Sequence, residues 1–407
     1  MLRFLTAGES HGQGLVAILE GMPAGLPIDE DAITTDLRRR QGGYGRGRRM
    51  AIESDRAQIL SGVRHGRTTG APIALLIPNK DWPNWQKTMH VGPEAPADAT
   101  GASRAPVTRP RPGHADLAGS LKYGHDDIRD VLERASARET AARVATAAIA
   151  RQLLQHFGVS VLSHVVSIGE VGVPESLAIP ADRVRTIAPD SPLHCADPAL
   201  EQEMIGAIDA AREAGDTLGG AFEVIAVGLP PGLGSYVQWD RKLDGRLAQA
   251  LMSIPAIKGV GVGKGPAVAG LPGSRIHDEI VPIGEGGPSG HSGVPVSRLT
   301  NNAGGLEGGV TNGEELRLTV YMKPIATLMK PLRSVDLATL AESPAAIERS
   351  DVCAVTAAAV VGEAMVALVL GDAFLEKFGG DSVAEIERNY AAAVSSLRAR
   401  FAVPSRS

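Results

Sequence analysis

Aromatic residues are scarce in this sequence: Phe, Trp and Tyr make up 3% of the 407 residues, against 48 glycines and 27 prolines. A core that lacks rings is built from Ala, Val, Leu and Ile, and an apolar fraction of 43% is enough for a sizeable one. The many glycines predict tight turns and close approaches of backbone to backbone or to ligand. Length alone favours two or three domains.

An excess of positive charge is also missing, as are cysteine pairs. The formal net charge is −5, so nucleic-acid binding would have to depend on a local basic patch. Cys195 and Cys353 lie far apart and in no metal-ligand spacing, which fits a reducing cytosol and argues against a disulfide framework. The first residues carry no signal-peptide pattern, and we expect a cytoplasmic protein.

One apolar stretch, 352–370, could be either a membrane-spanning helix or a buried helix of the core. It is rich in Ala and carries Glu363 past its middle. A carboxylate at the centre of a membrane helix costs about 2.5–3.5 kcal/mol on insertion scales, and Ala offsets little of that. We therefore expect a buried helix and no membrane partner.

Local patterns predict interleaved strands and helices, and the strand patterns favour half-buried antiparallel sheets. Ser136 starts a capping-box tetrad inside the helical stretch 126–157, so we favour a helix start there. Ser350 is a good N-cap for the apolar helix, with Asp351 in its first turn. The predicted strands are 2–6, 15–19, 52–63, 72–77, 159–166, 221–227 and 315–321; the other helices are 29–39, 200–214 and 241–252; the loops are 41–49, 91–109, 259–265, 284–293 and 304–313.

The segment 38–49 holds six arginines, four glycines and no acid. Guanidinium groups bind phosphates and carboxylates in bidentate fashion, and glycines let the backbone follow an anion closely. A solvated basic loop is the plain alternative. An RNA-binding Arg/Gly element is a third interpretation, weakened because Tyr44 is the only aromatic residue available for stacking.

Two histidines in glycine-containing turns are candidates for acid–base chemistry. His11 stands between Ser10 and Gly12, and His114 follows Gly113. A metal site of His11, His114 and Asp116 is an alternative that lacks the i, i+4 pairing of the strong zinc signatures.

Two short motifs are misleading. The segment 8–12 matches the nucleophile elbow G-x-S-x-G, but only seven residues precede it, too few for the strands that the elbow normally follows. The segment 259–265 fits neither a phosphate loop nor a dinucleotide fingerprint. Helix starts at Ser136 and Ser350 remain candidate anion sites. Together these features favour a polyanionic small molecule and proton or leaving-group chemistry.

Taken as a set, the motifs resemble the chorismate synthase family over nearly the whole chain. They are GESHG at 8–12, RRRQGGYGRGRR at 38–49, RPRPGHADLAG at 109–119, ERASARETAARVA at 133–145, GDTLGG at 215–220, NNAGGLEGGVTNG at 301–313, KPIAT at 323–327 and RSDVCAV at 349–355.

The resemblance implies an α+β fold in a single domain spanning 1–407, with helices sandwiched between antiparallel sheets. It also implies a homotetramer. The Pro-rich stretch 91–106 and the Gly/Pro/Ser stretch 285–297 depart from the family pattern, and we expect them to be variable, mobile loops. We expect the tail after 398 to be frayed. The activity implied is anti-1,4-elimination of phosphate from 5-enolpyruvylshikimate 3-phosphate, giving chorismate. Reduced FMN is required without net redox change, and NADPH or an external flavin reductase would supply the electrons.

The resemblance also implies roles for single residues. His11 would protonate the departing phosphate, His114 would protonate or polarise the reduced flavin, and Asp351 would accept a proton at flavin N5. The substrate would be held by Ser10, Arg40, Arg46, Arg49, Arg111, Arg138 and Arg349. FMN would be lined by Arg134, Ala135, Ser136, Pro255, Ala256, Gly308, Lys323, Pro324, Ile325, Ala326, Thr327 and Arg349. Some members also assign Arg40 and Arg46 to NADP(H).

Overall fold

Helices lie between two antiparallel sheets in the computed structural model, which describes residues 2–47, 54–174, 178–282, 295–347 and 351–401. The described helices are α1 Glu30–Gln41, α2 Asp116–Tyr123, α3 Arg129–Arg134, α4 Thr140–His156, α5 Ala181–Arg185, α6 Pro198–Ala214, α7 Leu243–Met252, α8 Val355–Phe378 and α9 Val383–Arg400. The described strands are β1 Arg3–Ala7, β2 Gly14–Glu20, β3 Gln58–Ile59, β4 Val63–Arg64, β5 Arg67–Thr68, β6 Ile73–Pro78, β7 Ser160–Ile168, β8 Val171–Gly172, β9 Gly220–Val227, β10 Ile257–Val262, β11 Ile280–Pro282, β12 Val296–Arg298, β13 Leu306–Glu307, β14 Val310–Thr311, β15 Leu316–Met322, β16 Arg333–Val335 and β17 Glu342–Pro344.

The layers follow from which helix packs on which sheet. One sheet has the strand order β1-β2-β6-β3 and the other the order β10-β15-β9-β7-β8, and every ladder between these strands is antiparallel. Helix α4 packs on β2 and β6, α8 packs on β7 and β9, and the two helices pack on each other and on α1. The predicted α+β sandwich is confirmed.

Alternating sequence patterns explain the half-buried sheet. In β2, Leu15, Ala17 and Leu19 are buried, and the residues between them lie on the outer face, where Ile18 is 42% exposed. Successive side chains of a strand point to opposite faces, so this alternation places one face of the sheet on the helices.

Helix α8 is the centre of the core. It is the one described helix long and apolar enough to cross a membrane, but 89% of its most apolar stretch is buried within the protein. Small residues let the sheet approach closely, since a Cβ at Gly362 would lie 2.5 Å from a ring carbon of Phe222. The predicted buried helix is confirmed.

One carboxylate in α8 is held by three other elements. Glu363 accepts hydrogen bonds from Arg39 of α1 at 2.7 and 2.8 Å and from Ser163 of β7 at 2.6 Å, and Arg151 of α4 forms an ion pair with it at 2.9 Å. Burial opposes the charge of Glu363, but the two guanidinium groups outweigh it and lower the pKa of this carboxyl to about 2.

The structure corrects three of the local predictions. Helix α8 starts at Val355, because Asp351 and Val352 bond to the backbone of Gly47 and Gly45 instead of entering a helix. Ser350 lies outside the described residues. Within the described part of the predicted strand 52–63, strand structure is limited to β3 and the first residue of β4. Residues 259–262 of the predicted glycine loop 259–265 belong to strand β10, which pairs with β15.

Two further details concern helix starts. Ser136 accepts a hydrogen bond from the backbone N–H of Arg138 and caps a 3-10 turn that leads into α4, so the predicted start near Ser136 is confirmed. Helix α9 was not predicted, although Ser382 and Glu385 form a capping box at its start.

We predict that Glu363→Gln lowers the free energy of unfolding by about 3–5 kcal/mol at pH 7, because it removes the more deeply buried of the two carboxylates, Glu363 and Asp36, that Arg39 and Arg151 share. Urea denaturation measures this. The control Glu213→Gln alters an exposed carboxylate of α6 and should change stability by less than about 0.5 kcal/mol.

The pH dependence gives a second check of the same variant. The folded pKa of Glu363 lies below its ordinary value of 4.5, so its contribution is complete above pH 4.5 and is lost as the pH falls towards 2. The stability difference between wild type and Glu363→Gln should therefore narrow below pH 4.5. A difference that stays constant down to pH 3 would contradict the assignment.

Candidate active site

The turn between β1 and β2 presents Ser10 and His11. It begins at Gly8, whose φ of +103° suits glycine and where a Cβ would lie 2.3 Å from the carbonyl oxygen of Gly14. Ser10 is buried, its N–H donates to the carbonyl oxygen of Glu133 at 3.0 Å, and its Oγ lies 3.2 Å from that of Ser136. The turn is thus fixed against the start of the α4 segment.

Glu133 holds His11 at two points. Its carboxylate accepts from the backbone N–H of His11 at 2.8 Å and lies 2.8 Å from the imidazole Nδ1. A carboxylate that is 2% exposed accepts here, so Nδ1 carries a hydrogen. Nε2 of His11 has no hydrogen-bond partner in the described part of the chain.

Two buried arginines share one carboxylate next to this turn. Arg138 donates to both oxygens of Asp55 at 2.6 and 2.7 Å, and Nη1 of Arg40 lies 3.7 Å from the same group. Arg40 also donates through Nε to Thr140 and through Nη2 to the carbonyl oxygen of Ala137.

The charge balance of this pair favours an anion. Burial is the main reason that the pKa of Arg40 is lowered to about 9, since Asp55 offsets only part of it and the charge of Arg138 adds to it. Nη1 of Arg40 is buried and makes no hydrogen bond to any described residue. An incoming phosphate or carboxylate would supply the missing acceptor.

Asn79 joins the turn to the arginine pair. Its Nδ2 donates to the carbonyl oxygens of Glu9 and Gly12 at 3.1 and 2.8 Å, and its Oδ1 accepts from Nε of Arg138 at 3.0 Å. One amide therefore sets the position of His11 relative to Arg138.

His114 belongs to a second imidazole–carboxylate pair. Its Nδ1 lies 2.5 Å from Asp116, which also accepts from Nε of Arg111 at 2.8 Å, and Arg111 reaches Thr327 at 3.1 Å. Burial raises the pKa of Asp116, but the hydrogen bonds from His114 and Arg111 outweigh it, so that this pKa lies well below its usual range. Nε2 of His114 bonds to no other described residue.

Several of the predicted flavin residues meet beside His114. Lys323 donates through Nζ to the carbonyl oxygen of Gly113 at 2.9 Å and through its backbone N–H to Ala256 at 3.0 Å. Burial, and then the charge of Lys258, lower the pKa of Lys323. Thus Pro255, Ala256 and the segment 323–327, which contains Pro324, Ile325 and Ala326, adjoin the His114 turn.

Other predicted residues lie elsewhere. Arg134 bonds to the carbonyl oxygens of Gly8 and Thr6, next to Ala135 and Ser136. Gly308 adjoins Gly309, which bonds to the first residue of α7, whereas Ala256 follows the last turn of that helix, about 15 Å away.

Asp351 forms a third cluster with Arg46. Nη1 of Arg46 lies 2.9 Å from the carboxylate, which also accepts from the N–H of Gly47 at 2.6 Å. The charge of Arg46 contributes to lowering the pKa of Arg40, so this cluster adjoins the arginine pair. Arg49 and Arg349 lie outside the described residues.

Most of the residues that hold the site were not foreseen. Glu133 is 122 positions from His11, and Asp55 is 83 positions from Arg138, and no local signal links such partners. Asn79 and Trp85, whose ring stacks on His11, were also missed. Asp116 appeared only in the metal alternative, and the described residues contain no group of three candidate metal ligands.

Of the four arginines in the described part of the Arg/Gly segment, 38–47, only Arg38 is exposed. Arg39, Arg40 and Arg46 turn inward to Glu363, Asp55 and Asp351. The RNA-binding interpretation receives no support from these contacts, because three of the six arginines are engaged by acids of the protein itself.

Fold and site together define an acid–base enzyme for a small polyanion, with two imidazoles oriented by carboxylates beside buried guanidinium groups. The family model described as chorismate synthase matches residues 2–375. The chain belongs to the chorismate synthase family, whose members are carbon–oxygen lyases.

Individual relatives agree with this. Chorismate synthase of Moorella thermoacetica is 59% identical over 96% of this chain and 98% of its own length. That of Desulforudis audaxviator is 56% identical over 99% and 100%. A crystal structure of chorismate synthase matches with a TM-score of 0.75 and 43% identity over 98% of both chains.

We predict that inorganic phosphate raises the melting temperature of the protein and that Arg40→Gln removes most of this increment. A ligand at a hundred times its Kd stabilises the folded state by about 2.7 kcal/mol. The control Arg388→Gln, at an exposed position of α9, should keep the full increment. An equal increment in all three proteins would mean that phosphate binds elsewhere.

Proposed function

We propose that this protein catalyses the anti-1,4-elimination of phosphate from 5-enolpyruvylshikimate 3-phosphate, the last common step of the route to the aromatic amino acids. The observation that carries the proposal is His11, held by Glu133 through Nδ1 and adjoining two buried arginines that share one carboxylate. With Nδ1–H bonded to Glu133, the imidazolium form of His11 also carries a hydrogen on Nε2 and presents it as a proton donor next to a site for anions.

The substrate carries two carboxylates and a phosphate, and the positive charges of the arginines are complementary to these anionic groups. Arg40, Arg138 and Arg111, with Ser10, Arg46, Arg49 and Arg349, are the proposed groups that bind them. As the bond between carbon and the phosphate oxygen breaks, the phosphate leaves with the electron pair, and His11 donates the Nε2 proton to it. The proton lost from C6 leaves its electron pair in the new double bond, and Asp351 is its proposed final acceptor.

Reduced FMN is the proposed cofactor, and the residues beside His114 fit it. Lys323 and Thr327 provide a cation and a hydroxyl suited to its phosphate, while Ile325 and Ala326 provide apolar contacts. When bound, reduced flavin supplies an electron-rich ring that stabilises positive charge developing on the substrate. His114, whose Nδ1 is bound by Asp116, would hold a proton at Nε2. The further proposed lining is Arg134, Ala135, Ser136, Pro255, Ala256, Gly308, Pro324 and Arg349.

The source of electrons and the assembly are part of the same proposal. NADPH bound near Arg40 and Arg46, or an external flavin reductase, would reduce the flavin. We propose one domain, since a single main cluster of buried side chains runs from Leu2 to Ile386. We also propose that the protein is a cytoplasmic homotetramer. The outer face of the first sheet, where Leu5 and Ile18 are 74% and 42% exposed, supports association with other subunits.

Anaerobic phosphate release from 5-enolpyruvylshikimate 3-phosphate, with and without reduced FMN, tests the function. We expect release only with the reduced flavin, in step with the absorbance of chorismate. A well-folded protein that releases no phosphate in any state of the flavin would overturn the proposal.

We predict that His114→Ala lowers kcat by roughly 10²- to 10⁴-fold, as for other acid–base groups, and leaves FMN affinity nearly intact. Steady-state turnover and a flavin titration measure the two quantities. The control is His65→Asn, an exposed histidine in the β4–β5 turn, which should leave both unchanged. A large loss of FMN affinity in His114→Ala would instead assign His114 to binding.

A further inference from the structure

Trp85 lies flat against the imidazole of His11. The two ring centroids are 3.8 Å apart and the ring planes differ by 21°. Trp85 is 7% exposed, yet it is not part of either buried hydrophobic cluster of the described residues. Trp85 is therefore buried by residues of the candidate site and not by the hydrophobic core.

The indole is fixed from its own segment. Its Nε1 donates to the carboxylate of Asp81 at 2.9 Å, and its backbone N–H donates to Trp82 at 2.9 Å. The N–H of Trp82 in turn donates to the carbonyl oxygen of Asn79, the residue that also holds the turn before β2. The two stacked rings are thus anchored to one common residue.

A guanidinium group also contacts the indole. The guanidinium carbon of Arg104 lies 3.8 Å from the centroid of the indole ring, within the range of a cation–π interaction. The backbone N–H of Thr100 donates to the side chain of Gln86 at 2.8 Å, and Thr88 donates to the carbonyl oxygen of Ala102 at 3.0 Å. The segment 100–104 is therefore held to the residues on either side of Trp85 and restrains the indole.

A single carboxylate does not orient an imidazole completely. Glu133 holds one edge of the His11 ring at Nδ1, and the ring can still tilt about that contact. A flat surface at stacking distance removes the tilt and sets the direction of Nε2.

We propose that Trp85 is a positioning residue for His11, which fixes the plane of the imidazole so that Nε2 points at the leaving group. The inference rests on the proposed function, in which His11 donates the proton. It requires a flat ring at position 85, whereas a role in filling space would require only apolar volume.

Three substitutions separate these two roles. Trp85→Phe keeps a flat ring, and Trp85→Leu and Trp85→Met keep apolar volume without one. We expect Trp85→Leu and Trp85→Met to lower kcat by roughly ten- to a hundredfold, with KM changed by less than about threefold. Trp85→Phe should stay within about threefold of wild type. The matched control is Trp82→Leu, in the same 3-10 segment, which has no ring contact with His11 and should leave kcat unchanged.

A spectroscopic measurement that needs no turnover accompanies the kinetics. In protein labelled with ¹³C at histidine Cε1, His11 is assigned by its disappearance in His11→Asn. Its proton resonance should be shifted upfield by the indole ring in wild type, move downfield in Trp85→Leu and Trp85→Met, and remain upfield in Trp85→Phe.

The outcomes are distinct. Three kinetic results would overturn the positioning role. They are an equal kcat in all variants, a change in KM without a change in kcat, and a kcat for Trp85→Phe as low as that for Trp85→Leu. If the wild-type protein releases no phosphate, the proposed function fails, and the His11 resonance alone then tests whether Trp85 positions the imidazole. A His11 resonance that is the same in wild type and in all residue 85 variants would overturn the positioning role as well. Two variants without a ring keep the test valid if one of them fails to fold.

Discussion

The contacts of Glu363 hold the helical layer together and onto the sheet that contains β7. This carboxylate is 1% exposed in a helix whose other buried residues are small or apolar, and it reaches α1, α4 and β7 together. Because successive residues of a helix are turned by about 100°, the inward direction of Arg39 sends Arg40 to a different side of α1, towards Thr140 and Asp55. The contact between Arg39 and Glu363 in the core thereby places Arg40 in the candidate active site.

The candidate site contains two similar pairs of an imidazole and a carboxylate. His11 and His114 each have Nδ1 at hydrogen-bonding distance from a buried carboxylate, Glu133 or Asp116, and the Nε2 of each bonds to no described residue. The two pairs lie on different segments, the first beside the arginines and the second beside Lys323. The orientation of His11 depends on a residue 122 positions away, whereas His114 is held by a carboxylate only two positions away.

Sequence patterns could predict what short-range physics controls. Asp29 caps α1 at the start of the predicted helix 29–39, and Gly215 ends α6 directly after the predicted helix 200–214. The strand patterns predicted β1, β2, β6, β7, β9 and β15. The start of α8 was misplaced because Ser350 and Asp351 have the pattern of an N-cap followed by a first-turn acid, but the carboxylate of Asp351 accepts from the N–H of Gly47 instead. The glycines of β10 concealed a strand that only its pairing with β15 stabilises. The motifs supplied the histidines and arginines, but their partners 59 to 122 positions away have no local signature.

Asn79 has a consequence for how this enzyme can change. One amide spaces the His11 turn, and the same amide restrains Arg138. Residues that share a partner in this way show interaction energies, so substitutions on the two sides of Asn79 will not have additive effects. The effect of substituting Arg138 therefore depends on the sequence of the His11 turn. Substitutions in these two places are epistatic, and we expect them to change together in evolution.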